Sequence, residues 1–237
     1  MPTSGTASYT PTLAEIFEDA YARAGSEMRS GWDFRTARFS MNMLTAEWAN
    51  RGINLWTIES GSIPLLDGVA TYDLPNDTID LVEHVVRQND GNVSTQIDIN
   101  ISRISVSTYS TIPNKLTKGR PIQVYINRQS GATTPYGIQN PTISVWPTPM
   151  GDSYTFVYWR LRRMQDPGNG GGTADIPFRF VAALTAGLAY YVAMKIPGAM
   201  DRVPMLQAEY ERQWQLASEE DRDKAPVRFV PRNMFYR

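Results

Sequence analysis

Few residues in this chain could do chemistry. His84 is the single histidine among 237 residues, and cysteine is absent. Any Ser-His-Asp arrangement would have to pass through His84. No thiol nucleophile, disulfide or Cys-based zinc or iron–sulfur site can be built, and one histidine excludes a two-His metal site within the chain. His84 lies in Leu81-Val-Glu-His-Val-Val86. Nothing local supplies the nucleophile and orienting acid that a catalytic base would need, so it reads as a strand residue making a structural hydrogen bond. Gly168-Asn-Gly-Gly-Gly172 lacks the Lys and Ser/Thr of a phosphate-binding loop and reads as a hinge. Asp73, Asp77 and Asp80 do not have EF-hand spacing, and turn formation around Pro75 accounts for them. No catalytic residue, metal or cofactor is expected, and the chain reads as a non-enzyme.

Two arginine-bearing segments are better placed to hold a partner. In Tyr158-Trp-Arg-Leu-Arg-Arg163, strand alternation puts Arg160 and Arg162 on one face and Trp159, Leu161 and Arg163 on the other. Such a face could meet phosphate, but a solvated or inter-subunit salt-bridge face is the preferred reading. From Lys224 to the end the chain carries Lys224, Arg228, Arg232 and Arg237 and no acid. It also carries Phe229, Val230, Phe235 and Tyr236, while Pro226 and Pro231 forbid a regular helix. Large apolar residues on an extended tail point to docking on a partner. Glu219-Glu-Asp221, just before it, reads as a solvated helix end.

The elements that must position these residues follow from periodicity. Thr12-Leu-Ala-Glu15 is a capping box opening a helix that Gly25 ends. Asp33 is expected to cap a second helix, 34–51, with Ala37, Met41, Leu44 and Trp48 on one face. Short β-prone runs follow at 55–60, 68–74, 79–88, 96–101, 121–129, 142–147 and 154–163, with one helical turn allowed within 102–111. Their spacing predicts an antiparallel sandwich or small barrel. A helix over 176–195, capped by Asp175, is apolar nearly all round and should be buried on several sides. A last amphipathic helix carries Val203, Leu206, Tyr210, Trp214 and Ala217 on one face.

The expected fold class is α+β, a discontinuous helical bundle domain with an inserted antiparallel β-rich domain and an extended C-terminal tail. The expected layout is a loose arm at 1–11, one helical domain from 12–54 and 174–223, a β-rich insert at 55–165, a Gly-rich linker at 166–173 and the tail at 224–237. Lys+Arg (23) and Asp+Glu (24) leave a net charge of -1, which excludes a globally basic nucleic-acid binder. The first 22 residues hold no Lys or Arg, so no signal peptide is expected. The most apolar stretch, 180–194, is shorter than the roughly 20 residues a bilayer needs, and no membrane partner is expected. Three Asn-X-Ser/Thr matches, at Asn76, Asn92 and Asn100, read as chance.

Taken in order, the chain resembles the head-to-tail adaptor proteins of short-tailed bacteriophages, the tail tubular protein A group. The residues that carry the resemblance include Ile16-Phe-Glu-Asp-Ala-Tyr21, Met41-Asn-Met-Leu-Thr-Ala-Glu-Trp48, Tyr72-Asp-Leu-Pro75 and Ile112-Pro-Asn-Lys115. Ile143-Ser-Val-Trp-Pro147, Tyr158-Trp-Arg-Leu-Arg162, Gly187-Leu-Ala-Tyr-Tyr191 and Arg228-Phe-Val-Pro-Arg232 continue it. None is a catalytic signature, and the match is specific by accumulation. The resemblance implies a virion structural protein, made in the host cytoplasm and located in the neck of the particle. It implies a homo-oligomeric ring, a dodecamer, between portal protein and tail nozzle protein. Duplex DNA would pass its channel without specific binding. Arg228, Phe229, Val230, Arg232, Phe235, Tyr236 and Arg237 would then dock on the portal. Most of Arg160, Arg162 and Arg163 would face subunit or nozzle contacts rather than the lumen, because dense arginine at the wall would grip phosphates. The competing reading is a β-sandwich recognition module binding a glycan or receptor.

Overall fold

The first helix begins where its capping box places it. In the computed structural model, which describes residues 5, 8–52, 55–129, 133–134, 137–138, 140–169 and 171–222, the Glu15 amide donates to Thr12 Oγ1 at 3.3 Å. The Thr12 amide donates back to Glu15 Oε2 at 2.7 Å. Helix α1 (Leu13–Ala24) ends at Gly25, which holds the left-handed conformation at φ 85° that glycine adopts without a Cβ penalty. Helix α2 (Gly31–Arg51) starts one turn earlier than the sequence suggested. Ser30 is the capping residue: its Oγ accepts from the Asp33 amide at 3.2 Å, and Asp33 accepts from the Arg29 and Ser30 amides at 3.1 and 3.0 Å. Asp33 is thus the acid that answers the cap, not the cap itself. Edge-to-face packing of Phe17 on Phe34 (5.3 Å) and a 2.9 Å bond from the Tyr21 hydroxyl to the Asp33 carbonyl close the hairpin. Burial, and then the nearby Asp33 charge, push the Tyr21 phenol up to about 12.

The strands are β1 (Ile58–Leu65), β2 (Thr71–Asp73), β3 (Thr78–Gln88), β4 (Ile97–Asn100) and β5 (Ser102–Ile104), followed by the short α3 (Val106–Ser110). Then come β6 (Lys118–Gly119), β7 (Gln123–Asn127), β8 (Thr133–Thr134), β9 (Gly137–Ile138), β10 (Thr142–Trp146), β11 (Thr148–Pro149) and β12 (Tyr154–Arg162). Two four-stranded sheets form, in the orders β1-β12-β3-β4 and β2-β10-β7-β5. Leu81, Val86, Phe156 and Tyr158 of the first sheet meet Val124, Ile126, Ile143 and Val145 of the second in one buried cluster. This is the sandwich the spacing implied, with two departures from antiparallel pairing: β5 lies parallel to β7, and β11 parallel to β6. Gly61 stands opposite Tyr158 on the neighbouring strand, where an added Cβ would come within 2.5 Å of the tyrosine ring. The ring occupies the space a side chain would need.

After the sandwich, a 3-10 turn at Phe178–Phe180 leads into α4 (Val181–Ala193), and α5 (Val203–Glu220) follows. Nine residues of α4 are buried, and α1 and α5 both pack on it. Gly187 permits this closeness: a Cβ there would lie 2.8 Å from the Tyr210 ring and 3.0 Å from Leu44. The helix is shorter than the expected 176–195, and Phe178 and Met194 at its two ends are exposed rather than core. The chain divides into two compact units, one running to Leu44 and resuming at Pro167, the other Thr45–Asp166. The fold is α+β, as the sequence implied.

Candidate interface surfaces

In the sandwich unit, the arginines of β12 are occupied internally. Arg160 and Arg162 share strand parity with the core residues Phe156 and Tyr158, and their side chains are only 11% exposed. Arg160 Nη2 donates to Glu59 Oε2 at 2.8 Å, its Nη1 binds Asp77, and it reaches Thr78 Oγ1 at 3.0 Å. Arg162 Nε lies 2.7 Å from Glu59 Oε1. Burial opposes ionisation of Asp77, but hydrogen bonds and charge from Arg160 outweigh it and hold the carboxyl below its ordinary range. Burial likewise opposes the Arg160 cation, and its bonds to Asp77 and Glu59 reverse the balance. Arg163 is exposed and has no acidic partner among the described residues. The three arginines read together from sequence are therefore two internal clamps and one outward cation.

His84 stacks on Phe156 at 5.8 Å, and its buried ring nitrogens find no hydrogen-bond partner among the described residues. Burial, and then the Arg103 charge, lower the imidazole's pKa and favour its neutral form. No cluster of His, Asp or Glu able to hold a metal occurs among the described residues. No described helix is long and apolar enough to cross a membrane.

In the helical unit, Asp221 is not the solvated residue expected from its acidic run. It is 7% exposed and paired with Arg179, which ties the end of α5 to the turn before α4. A buried carboxylate persists because a cation compensates it. Asp221 thereby fixes the end of α5, just before the tail. The tail residues Arg228, Phe229, Val230, Arg232, Phe235, Tyr236 and Arg237 lie outside the described residues.

Sequence reasoning missed two surfaces of this unit. Beside its buried stripe, α2 carries Trp32, Phe39 and Met43, exposed at 70%, 58% and 43%. Their spacing of seven and four puts them on one face, a signal readable once the first stripe is set aside. The other surface is a groove of about 480 Å³ between α1 and the start of α4, with Tyr9 and Phe178 at its mouth.

Residues 11–232 match the model of the SU10 adaptor protein family. The match spans most of the chain. The chain belongs to that family. It is thus a structural adaptor protein of phage particles, and the adaptor's matched region includes both units and most of the tail through Arg232. Among curated proteins no sequence match was found.

Proposed function

We propose that this adaptor forms a ring, a dodecamer, in the neck of the virion. The ring joins portal protein to tail nozzle protein and leaves a channel through which duplex DNA passes without specific binding. The reading rests on the family match over residues 11–232. The pairing of Arg160 and Arg162 with Glu59 and Asp77 supports it, since a neutralised arginine has little charge left to hold a phosphate. Of the three, Arg163 is then the residue available for a neighbouring subunit or the nozzle. The subunit is made in the host cytoplasm and assembles into the particle without a membrane partner.

The tail supplies the portal contact. Burying Phe229, Val230, Phe235 and Tyr236 contributes roughly 1.5–3 kcal/mol each. Ordering the backbone costs about 1–2 kcal/mol per residue, so one tail binds weakly or not at all. A ring of tails, each held near the portal by a folded subunit, multiplies that small surplus through effective concentration. Arg228, Arg232 and Arg237 add charge-assisted bonds to portal carboxylates or carbonyls. Assembly therefore waits for the portal. Deleting residues 225–237 should leave thermal unfolding nearly unchanged and abolish cosedimentation with portal particles. Undiminished cosedimentation of the truncated chain would place the anchor elsewhere.

A further inference from the structure

The two surfaces of the helical unit complement each other in shape and charge. The first is a ridge. Trp32, Phe39 and Met43 stand out from α2 over eleven residues, about 16 Å of helix. Arg35 sits over the Trp32 ring at 5.8 Å, and neither Arg35 nor Arg38 has an acidic partner among the described residues. Lys195 adds a third cation, its Nζ 5.0 Å from the Phe39 ring. The ridge is aromatic and positive.

The second surface is the groove, floored by Ile16 and Ala182 and flanked by Tyr9 and Phe178, which are 69% and 74% exposed. Its own cations are neutralised: Arg23 by Asp19 at 2.8 Å, and Arg179 by Asp221. Glu15 on the lining accepts from the Thr12 amide and hydroxyl but meets no cation, and Glu18, three residues along the same helix and outside the lining, has no cationic partner among the described residues. The groove is apolar and negative.

We infer that the Trp32–Phe39–Met43 ridge of one subunit seats in the Tyr9–Phe178 groove of a second copy. This inference rests on the ring reading above and names the surfaces that would close it. The two patches do not overlap. The groove takes Ala182 from the start of α4, while the ridge lies at Lys195, just past its end. Thirteen residues of rise separate these points by about 20 Å. Each copy can therefore give one contact and receive one, and a head-to-tail contact of two different surfaces generates a ring when the rotation between copies closes. Opposed charge on the two rims sets the direction and disfavours ridge meeting ridge.

The test uses the full-length chain with portal particles and reads ring formation by sedimentation and native mass spectrometry. Arg35→Glu and Glu18→Arg are surface changes, and unchanged circular dichroism and thermal unfolding verify the fold. Each variant alone juxtaposes like charges at every contact and should raise the concentration for half-assembly about tenfold or more. Mixed in equal amounts, they should assemble again by alternating, since each ridge then finds a groove of opposite charge. Wild-type rings with both charge variants assembling normally would overturn this inference and leave the adaptor reading intact. Loss in both variants without recovery on mixing would also overturn it, because charge complementarity would not be the cause. Absence of wild-type assembly, with or without portal, would overturn both.

Discussion

The sandwich unit and the helical unit treat their difficult side chains in opposite ways. In the sandwich, arginines close on acids of neighbouring strands and loops: Arg87 on Asp98, Arg103 and Arg128 on Asp80, Arg160 on Glu59 and Asp77. Its one exposed aromatic among the described residues is Trp159, at only 38%. In the helical unit, Tyr9, Trp32, Phe39 and Phe178 are exposed at 58–74%, and Arg35 and Arg38 have no acidic partner among the described residues. A helix facing water gains nothing from three large apolar residues on its outer stripe. The sandwich pairs most of its described arginines internally, leaving Arg163 and aliphatic residues such as Val93 and Leu116 exposed; on the inference above, the exposed aromatics of the helical unit meet a second copy.

Four changes test this contrast, in descending order of effect on stability. Phe156→Ala should cost about 3–5 kcal/mol, because Phe156 is fully buried in the cluster joining the two sheets. Chemical denaturation with near-ultraviolet circular dichroism would measure it. Gly187→Leu should cost about 1–3 kcal/mol or more through overpacking, since Tyr210 and Leu44 already occupy the space. Arg160→Met should cost about 1–2 kcal/mol, measured as a shift in thermal midpoint, because Asp77 and Glu59 keep partial access to water. Phe39→Ser should change stability by less than about 0.5 kcal/mol yet reduce assembly with portal particles, read by cosedimentation. A large stability loss from Phe39→Ser would move that ring into the core and break the contrast.

Asp77 gives the sandwich a pH signature. Its folded pKa lies below the ordinary 3.8, so the unfolded chain takes up the proton first as pH falls. The stabilisation from this carboxylate is complete above the ordinary value and drains away as pH falls through the depressed folded one. The stability gap between the intact chain and Asp77→Asn should therefore narrow as pH falls through the ordinary carboxylate range towards the depressed folded value. A gap that widens on acidification would contradict the assignment.

Much of the fold was legible because it is written in local signals. The Thr12–Glu15 box, Gly25, the buried stripe of α2 and the β-prone runs each depend on residues a few positions apart. The differences arise where distant contacts override local preference. The first strand was expected to stop at Ser60 because Gly61 and Pro64 look like breakers, yet β1 continues to Leu65. It is an edge strand of its sheet, where proline costs no ladder bond on the open side, and Tyr158 fills the space over Gly61. The β12 arginines lie 83 and 101 positions from the acids that bind Arg160, so alternation could place them on a face but could not show that the face was already paired. Asp221 looked solvated because its partner Arg179 is 42 positions away. The ridge went unseen because α2 carries two apolar stripes, and the first explained the helix sufficiently.

The claim that association belongs to the helical unit is tested most directly by hydrogen exchange, comparing the free chain with the same chain assembled on portal particles. Slowed exchange concentrated in 9–24, 30–44 and 178–186, with strands β3, β10 and β12 unchanged, is the expected result. Protection confined to residues 55–165, with the α2 ridge and the α1–α4 groove exchanging as fast as in the free chain, would contradict it.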